Sequence, residues 1–184
     1  MAKLIYIVNA SLDGYMADED GRIDWTTPSE ELFGFITELV RPVGTYLYGR
    51  RLYEAMAVWE TLDAPPDSPQ AVDFAQLWRG AEKVVYSTTL AAASTPRTRI
   101  EREFDPAAVR HLLEAPGPDL TVGGAQLAGQ AIAAGLVDEI HLVITPHLLG
   151  GGATALPAHV RRDLTLLDRH DFSNGSVYVR YGML

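Results

Sequence analysis

The chain has 184 residues, 47% hydrophobic and 21% charged, and 15 basic against 24 acidic side chains leave a net charge of −9 at pH 7. This suits a single domain over 1–184 with a substantial core and excludes a disordered chain. The acidic balance disfavours nucleic acid and anionic membranes as main partners, and the lack of cysteine excludes disulfides, thiolate catalysis and Cys-ligated zinc while fitting a cytoplasmic protein.

KLIYIVNA (3–10) opens the chain. Its apolar run, Leu4 to Val8, is too short for a membrane span or a secretory h-region, and it predicts a central strand buried on both faces. SLDGY follows, with Asp13-Gly14 as turn chemistry, and ADEDGRIDW (17–25) reads as a polar loop or hairpin tip. In TTPSEELFGFITELV (26–40), Thr27 as N-cap, Pro28 at N1 and Glu30 at N3 predict a capping box, with Leu32, Phe35, Ile36 and Leu39 as one apolar stripe.

GTYLYG (44–49) predicts a strand and RRLYEAMAVW (50–59) a short helix. TLDAPPDSPQAVD (61–73) reads as a Pro/Asp-rich surface loop. EKVVYST (82–88) predicts a strand and RTRIERE (97–103) a short edge strand. DPAAVRHLLEA (105–115) predicts a helix with Asp105 as N-cap and Pro106 at N1. A strand at DLTV (119–122), a helix at AQLAGQAIAAG (125–135) closed by Gly135, and a strand at EIHLVIT (139–145) come next. The chain ends in a hairpin turning at Asn174-Gly175. The alternation predicts a three-layer α/β sandwich, its central sheet mostly parallel, with an antiparallel C-terminal hairpin.

Three strand-to-helix turns carry chemistry suited to phosphate or ribose: YLYGRR (46–51), VVYSTTL (84–90) and LTVGGAQL (120–127). Ligands of open α/β sheets bind at the carboxyl ends of strands, where glycine lets backbone approach a phosphate and free N–H groups favour anions. Arg50 and Arg51 can add charge-assisted bonds, and Ser87, Thr88 and Thr89 offer hydroxyls to a ribose or a 2′-phosphate. Each turn also reads as an ordinary chain reversal. Gly123-Gly124 is no Rossmann GxGxxG, and there is no Walker A lysine.

The order of SLDGY, YGRRLYE, YSTTL and VGGAQLAGQAIAAGLVDEIHLVITPHLLGGG resembles the dihydrofolate reductase-like fold over nearly the whole chain. It is most similar to stand-alone relatives of the reductase domain of the bifunctional riboflavin-biosynthesis deaminase-reductase. The resemblance implies NADPH as cofactor. It implies that Ala10 backs the nicotinamide, that Gly49, Arg50 and Arg51 start a helix under the pyrophosphate, and that Ser87, Thr88 and Thr89 lie near the adenine-side ribose and its 2′-phosphate. Gly123, Gly124, Ala125, Gln126 and Leu127 would line the middle of the cofactor, and Asn9 and Trp25 would meet the substrate. It further implies a homodimer. One departure stands out: where the riboflavin reductase typically has a glutamate before the glycine pair, this chain has Val122.

Hydride transfer calls for a group that orients the substrate and helps supply a proton. The resemblance offers Asp13, in the SxDG turn, and the first-helix acid of DWTTPSEELFGF, matched best by Glu31. Asp13 also reads as turn chemistry and Glu31 as a solvated first-turn carboxylate. The five histidines show no HExxH or close ligand pair, so no metal site is expected. The expected function is NADPH-dependent reduction of a small pterin- or pyrimidine-like heterocycle. Two alternatives stay open: a ligand-binding protein of the same fold without turnover, and a 5-amino-6-(5-phosphoribosylamino)uracil reductase.

Overall fold

The computed structural model describes residues 1–62 and 68–184. In chain order its elements are β1 (Leu4–Ser11), β2 (Tyr15–Ala17), α1 (Glu30–Val40), β3 (Val43–Gly49), α2 (Arg50–Met56), α3 (Val58–Thr61), α4 (Pro69–Gly80), β4 (Glu82–Tyr86), β5 (Thr98–Glu101), α5 (Pro106–Glu114), β6 (Asp119–Gly123), α6 (Ala125–Ala133), β7 (Glu139–Thr145), β8 (Ala153–Thr154), β9 (Leu164–Asp171) and β10 (Val177–Met183). One eight-stranded sheet has the order β5-β4-β3-β6-β1-β7-β10-β9. The six strands from β5 to β7 are parallel, and β10 and β9 close that side antiparallel. This is the expected α/β architecture, with the hairpin turning through Gly175 at φ 83°.

Strand alternation divides the core into two halves. Leu4, Tyr6, Val8 and Ala10 of β1 pack with Val109 and Leu113 of α5 and with Leu127, Ala128, Ala131 and Ile132 of α6. On the other face, Tyr46 and Tyr48 of β3 meet Tyr53 of α2 and Phe74 and Trp78 of α4, while Leu32 of α1 meets Val143 and Tyr178. Successive β1 side chains point to opposite faces, so Asn9 lies on the α1 side of the sheet. Asp138 and Glu139 tie down the start of β1: Leu4 N donates to Asp138 Oδ2 at 2.8 Å, and Lys3 Nζ donates to Glu139 Oε1 at 2.6 Å.

Three local expectations are corrected. The first helix is capped by Ser29, whose Oγ accepts from Leu32 N, so neither Thr27 nor Pro28 belongs to it and Glu30 is its first residue. Thr27 is used elsewhere: its Oγ1 donates to the Asp24 carbonyl at 2.8 Å, behind a single 3-10 turn at Asp24–Thr26. Pro28 holds Thr27 extended at ψ 111°, which keeps it out of the helix.

The second correction concerns the expected 61–73 loop. Thr61 ends α3, residues 63–67 lie outside the described residues, and Pro69 starts α4. Proline suits the first helical position, and Ala71, Phe74, Ala75 and Trp78 give the helix its buried stripe. Third, the 17–25 segment is partly structured. Ala17 ends β2, which pairs with β8 and so joins this segment to the loop after β7. Asp105 caps α5 as expected, its Oδ1 accepting from Ala107 N at 2.8 Å.

Candidate functional site

The carboxyl ends of the parallel strands meet along one edge of the sheet. From β3 the chain moves outward to β4 and β5, then returns through β6, which enters between β3 and β1. This reversal of strand order creates the crevice where open α/β sheets hold ligands. Gly49, the residues after Tyr86, and Gly123-Gly124 all arrive there, as do Ser11 and Thr145.

The two glycines of β6 differ in their physical role. Gly123 is buried, and a Cβ there would fall inside Leu52 Cδ2 and 3.2 Å from Tyr48 Cδ1. Close packing of α2 onto β6 explains that glycine. Gly124 has φ +92°, and a Cβ there would meet nothing within 4 Å. Its backbone conformation disfavours other residues, while the space above it is open. Gly49 also faces open space.

Gly124 begins α6 without a side-chain cap. The first helical bond back to it comes from Ala128 N, so the N–H groups of Ala125, Gln126 and Leu127 have no partner within the helix. Leu127 puts its side chain into the core and offers only its amide to the surface, whereas Gln126 is exposed. Val122 is only 1% exposed and gives a ligand nothing polar. A groove of about 490 Å³ runs along α6 between Gln126, Gly129 and Gln130 and the Pro157–Val160 segment.

Two of the three predicted turns touch directly. Arg50 Nη1 donates to Thr89 Oγ1 at 2.9 Å, while its Nε donates to Glu54 at 2.8 Å. Ser87 is buried and folds its own turn, its Oγ accepting from Thr89 N and Leu90 N at 3.3 and 3.0 Å. Thr88 and Arg51 are exposed. Ala10 is buried in the α5–α6 half of the core, and its carbonyl accepts from Thr145 Oγ1 at 3.1 Å.

Across the sheet, Asn9 is half-buried and lies in register with Val143, which is in register with Tyr178. Its side-chain amide has no hydrogen-bond partner among the described residues. Trp25 packs edge-on against His147, ring centroids 5.9 Å apart, and its Nε1 donates to the Arg22 carbonyl. Leu12 stands exposed in the turn after β1, and Leu148 in the loop after β7.

Both candidate acids act as hydrogen-bond acceptors. Asp13 Oδ1 accepts from Ser11 Oγ at 2.6 Å, and the carboxylate also takes the amides of Leu149 and Gly150 at 3.2 and 2.8 Å. The Ser11 hydroxyl and then the Gly150 amide hold its pKa down to about 2. Glu31 Oε2 accepts from Ser173 Oγ at 2.5 Å and Ser173 N at 3.1 Å, which lowers its pKa too. Asp13 thereby fastens the loop after β7 to the end of β1, and Glu31 fastens α1 to the hairpin turn. Sequence reasoning named the acids and missed Ser11 and Ser173. The Ser-x-Asp spacing in SLDG was the available signal for Ser11, whereas Ser173 is brought to Glu31 by the tertiary fold alone.

The model of the RibD C-terminal domain family matches residues 2–178. The chain belongs to the RibD C-terminal domain family. The resemblance drawn from motif order is thus borne out. Among relatives of this RibD C-terminal domain is the uncharacterized protein YyaP of Bacillus subtilis (strain 168). It is 28% identical over 184 residues, which cover 97% of this chain and 94% of YyaP. Among solved structures, a Shewanella sp. PV-4 protein named for riboflavin biosynthesis superposes with TM-score 0.78 at 20% identity, covering 100% and 99% of the two chains. A pyrimidine reductase-like protein from Corynebacterium diphtheriae gives 0.74 at 13% identity, covering 100% and 92%. These structures share the fold.

Among the described residues of this RibD C-terminal domain, no group of three His, Asp or Glu is placed to hold a metal ion, and no helix is long and apolar enough to cross a membrane. His141 is a buried strand residue, bonded to Glu139 through Nε2 at 2.9 Å and to the Tyr178 hydroxyl through Nδ1 at 3.0 Å.

The depressed Asp13 pKa makes a signed prediction. A carboxylate lowered on folding contributes stability above its unfolded value, near 3.9, and that contribution is lost as pH falls through about 2. A carbon-detected NMR titration should therefore place the Asp13 midpoint near 2. Asp13→Asn should speed hydrogen exchange of the Leu149 and Gly150 amides at neutral pH. Unchanged exchange in that variant would show that Asp13 does not hold the loop.

Proposed function

We propose that the chain is an NADPH-dependent oxidoreductase that reduces a small, flat heterocycle of pterin or pyrimidine type. The observation that carries this reading is Gly124: a positive-φ turn with open space above it, followed by uncapped helical amides, at the strand-order reversal of a RibD C-terminal domain. These residues fit a dinucleotide. The amides of Ala125, Gln126 and Leu127 would face its phosphates, with Gly49 and Gly124 admitting it closely and Arg50 and Arg51 adding positive charge. Ser87, Thr88 and Thr89 would hold the adenine-side ribose end, and the backbone of Ala10 would back the nicotinamide. NADPH, when bound, would supply the hydride, and the proton that completes the reduction would come from solvent water, because Asp13 and Glu31 are ionised.

On the substrate side, Asn9 offers a free donor and acceptor to a heterocycle edge, and Trp25 walls the mouth. Asp13 and Glu31 enter as ionised acceptors that position substrate N–H groups, since their hydrogen bonds stabilise the charged form. That observation favours a second reading, a ligand-binding protein of this fold without turnover, because neither acid stores a proton at neutral pH. The cysteine-free composition fits a cytoplasmic setting.

A second copy of the chain is the partner best suited to the hairpin. All of β9 is exposed at the sheet edge, with Leu164, Leu166 and Leu167 between 39% and 51% exposed. Unpaired edges of this kind are normally covered. Sedimentation at twice the 20.1 kDa chain mass would support the dimer, and a monomer at micromolar concentration would contradict it.

Tryptophan-fluorescence titration tests the cofactor reading. NADPH should bind saturably, and Gly124→Ala should weaken it about tenfold or more while costing about 1–3 kcal/mol of stability, because φ +92° with ψ 127° lies outside the left-handed helical region and strains any residue with a Cβ. No binding to the wild type, or binding indifferent to that substitution, would contradict the reading. Stopped-flow oxidation of NADPH with a panel of pterins and pyrimidines, including the phosphoribosylaminouracil substrate, separates the reductase from a binding protein without turnover.

A further inference from the structure

On the β1–β7 side, the mouth of the crevice is built from two loops that hold one another. Leu12 N donates to the His147 carbonyl at 2.8 Å, Ala155 N donates to the Gly14 carbonyl at 2.9 Å, and Trp25 sets its ring edge against His147. The hairpin turn closes in beside them, where a Cβ on Gly175 would stand 3.6 Å from Pro146 Cγ. Leu12 is 66% exposed, Leu148 74% and Ile23 51%. Apolar side chains scattered singly over a surface need no explanation. These three stand on bonded loops around a tryptophan, at the ligand-binding edge of the sheet, and give the mouth an apolar rim.

The same mouth is acidic. Residues 11–31 carry seven carboxylates and one arginine, and residues 145–155 carry no Asp, Glu, Lys or Arg. That arginine, Arg22, is paired with Asp20, its Nη2 3.4 Å from Oδ2. Asp13 and Glu31 are kept ionised by the hydroxyls and amides they accept from. The cations of this edge stand on its other half. Arg50 and Arg51 open α2, and Arg102 follows β5, its Nη1 bracing the next turn by donating to the Ser87 and Leu90 carbonyls at 2.9 and 2.8 Å. A phosphate dianion at the mouth would therefore meet like charge, with no free guanidinium on these two loops to answer it. Val122 adds no polar group either.

We propose that the substrate is an unphosphorylated heterocycle bearing an apolar substituent, and that Leu12 and Leu148 are the specificity-determining residues that receive this substituent. The ring lies at Asn9 and Trp25, and the substituent extends toward the two leucines. This rests on the reductase reading above and narrows its substrate class. A substituent that covers exposed leucine gains affinity with the apolar area it removes from water. A phosphorylated substituent of the same reach lacks that gain and is repelled by the carboxylates, most strongly at low salt.

Titration calorimetry with matched probes tests the assignment without requiring turnover. The probes are 6-phenyl-7,8-dihydropterin, 7,8-dihydroneopterin and 7,8-dihydroneopterin 3′-phosphate, each with and without NADPH, so that one ring carries an apolar, a hydroxylated or a phosphorylated substituent. The phenyl probe should bind about tenfold or more tightly than the phosphate probe, and added salt should narrow the gap by strengthening the phosphate probe. Leu12→Ser and Leu148→Ser, both at exposed positions, should each cut the phenyl affinity about fivefold and leave NADPH affinity unchanged. Asp24→Lys, beside Trp25, should strengthen the phosphate probe alone. Equal or tighter binding of the phosphate probe, or leucine variants that keep the phenyl affinity, would overturn the substrate assignment and leave the cofactor reading standing. Binding of NADPH but of none of the probes would do the same. Binding of the phenyl probe without binding of NADPH would support the assignment and remove the cofactor reading.

Discussion

The in-register parallel ladder is the constraint on which the rest depends. Six strands run the same way, so their carboxyl ends and the segments that follow arrive at one edge. Because β6 enters between β3 and β1, the Gly123-Gly124 turn lands beside the start of α2, with the last residues of β1 running on past it. That entry requires Gly123, since α2 presses Leu52 and Tyr48 leaves no room for a side chain. Packing therefore fixes the first glycine, and the second is free to shape open space. The same register brings Arg50, Ser87 and Arg102 side by side although they lie far apart in the chain.

The edge is chemically divided. On the β3–β4–β5 side, arginines and hydroxyls gather around a buried serine. On the β1–β7 side, carboxylates are clamped by hydroxyls and amides among exposed apolar side chains such as Leu12 and Leu148. A ligand with an anionic end and a flat, hydrogen-bonding end matches this division, and a reductase that joins a phosphorylated dinucleotide to a heterocycle needs both halves. Asp13 ties the β1–β7 half together. By accepting from Leu149 and Gly150, it holds the loop after β7, which β8 in turn joins to β2.

Much of this was legible in the sequence where local chemistry and tertiary structure agree. The Asp105-Pro106 helix start, the apolar run of β1 and the Asn-Gly hairpin each carry their own signal and form as expected. The cap of α1 was misplaced by two residues because Thr27 bonds the turn before it, a competition that spacing cannot reveal. The helix α4 was hidden by the Pro/Asp-rich run before it, although its stripe of Ala71, Phe74, Ala75 and Trp78 was there to be read. At the site, the glycines and the Ser-Thr-Thr turn could be named from sequence. The contact between Arg50 and Thr89, the bracing by Arg102 and the seating of Glu31 on Ser173 depend on pairings distant in the chain, which no local pattern encodes.

The most direct test of the central claim is an amide hydrogen-exchange footprint of the protein with and without NADPH. A dinucleotide in the crevice should protect Gly124 to Leu127 and the Ser87–Leu90 turn, and leave the exposed strand β9 unchanged. Protection confined to the groove between α6 and residues 157–160, or no protection anywhere, would contradict a dinucleotide site at the carboxyl edge of the sheet.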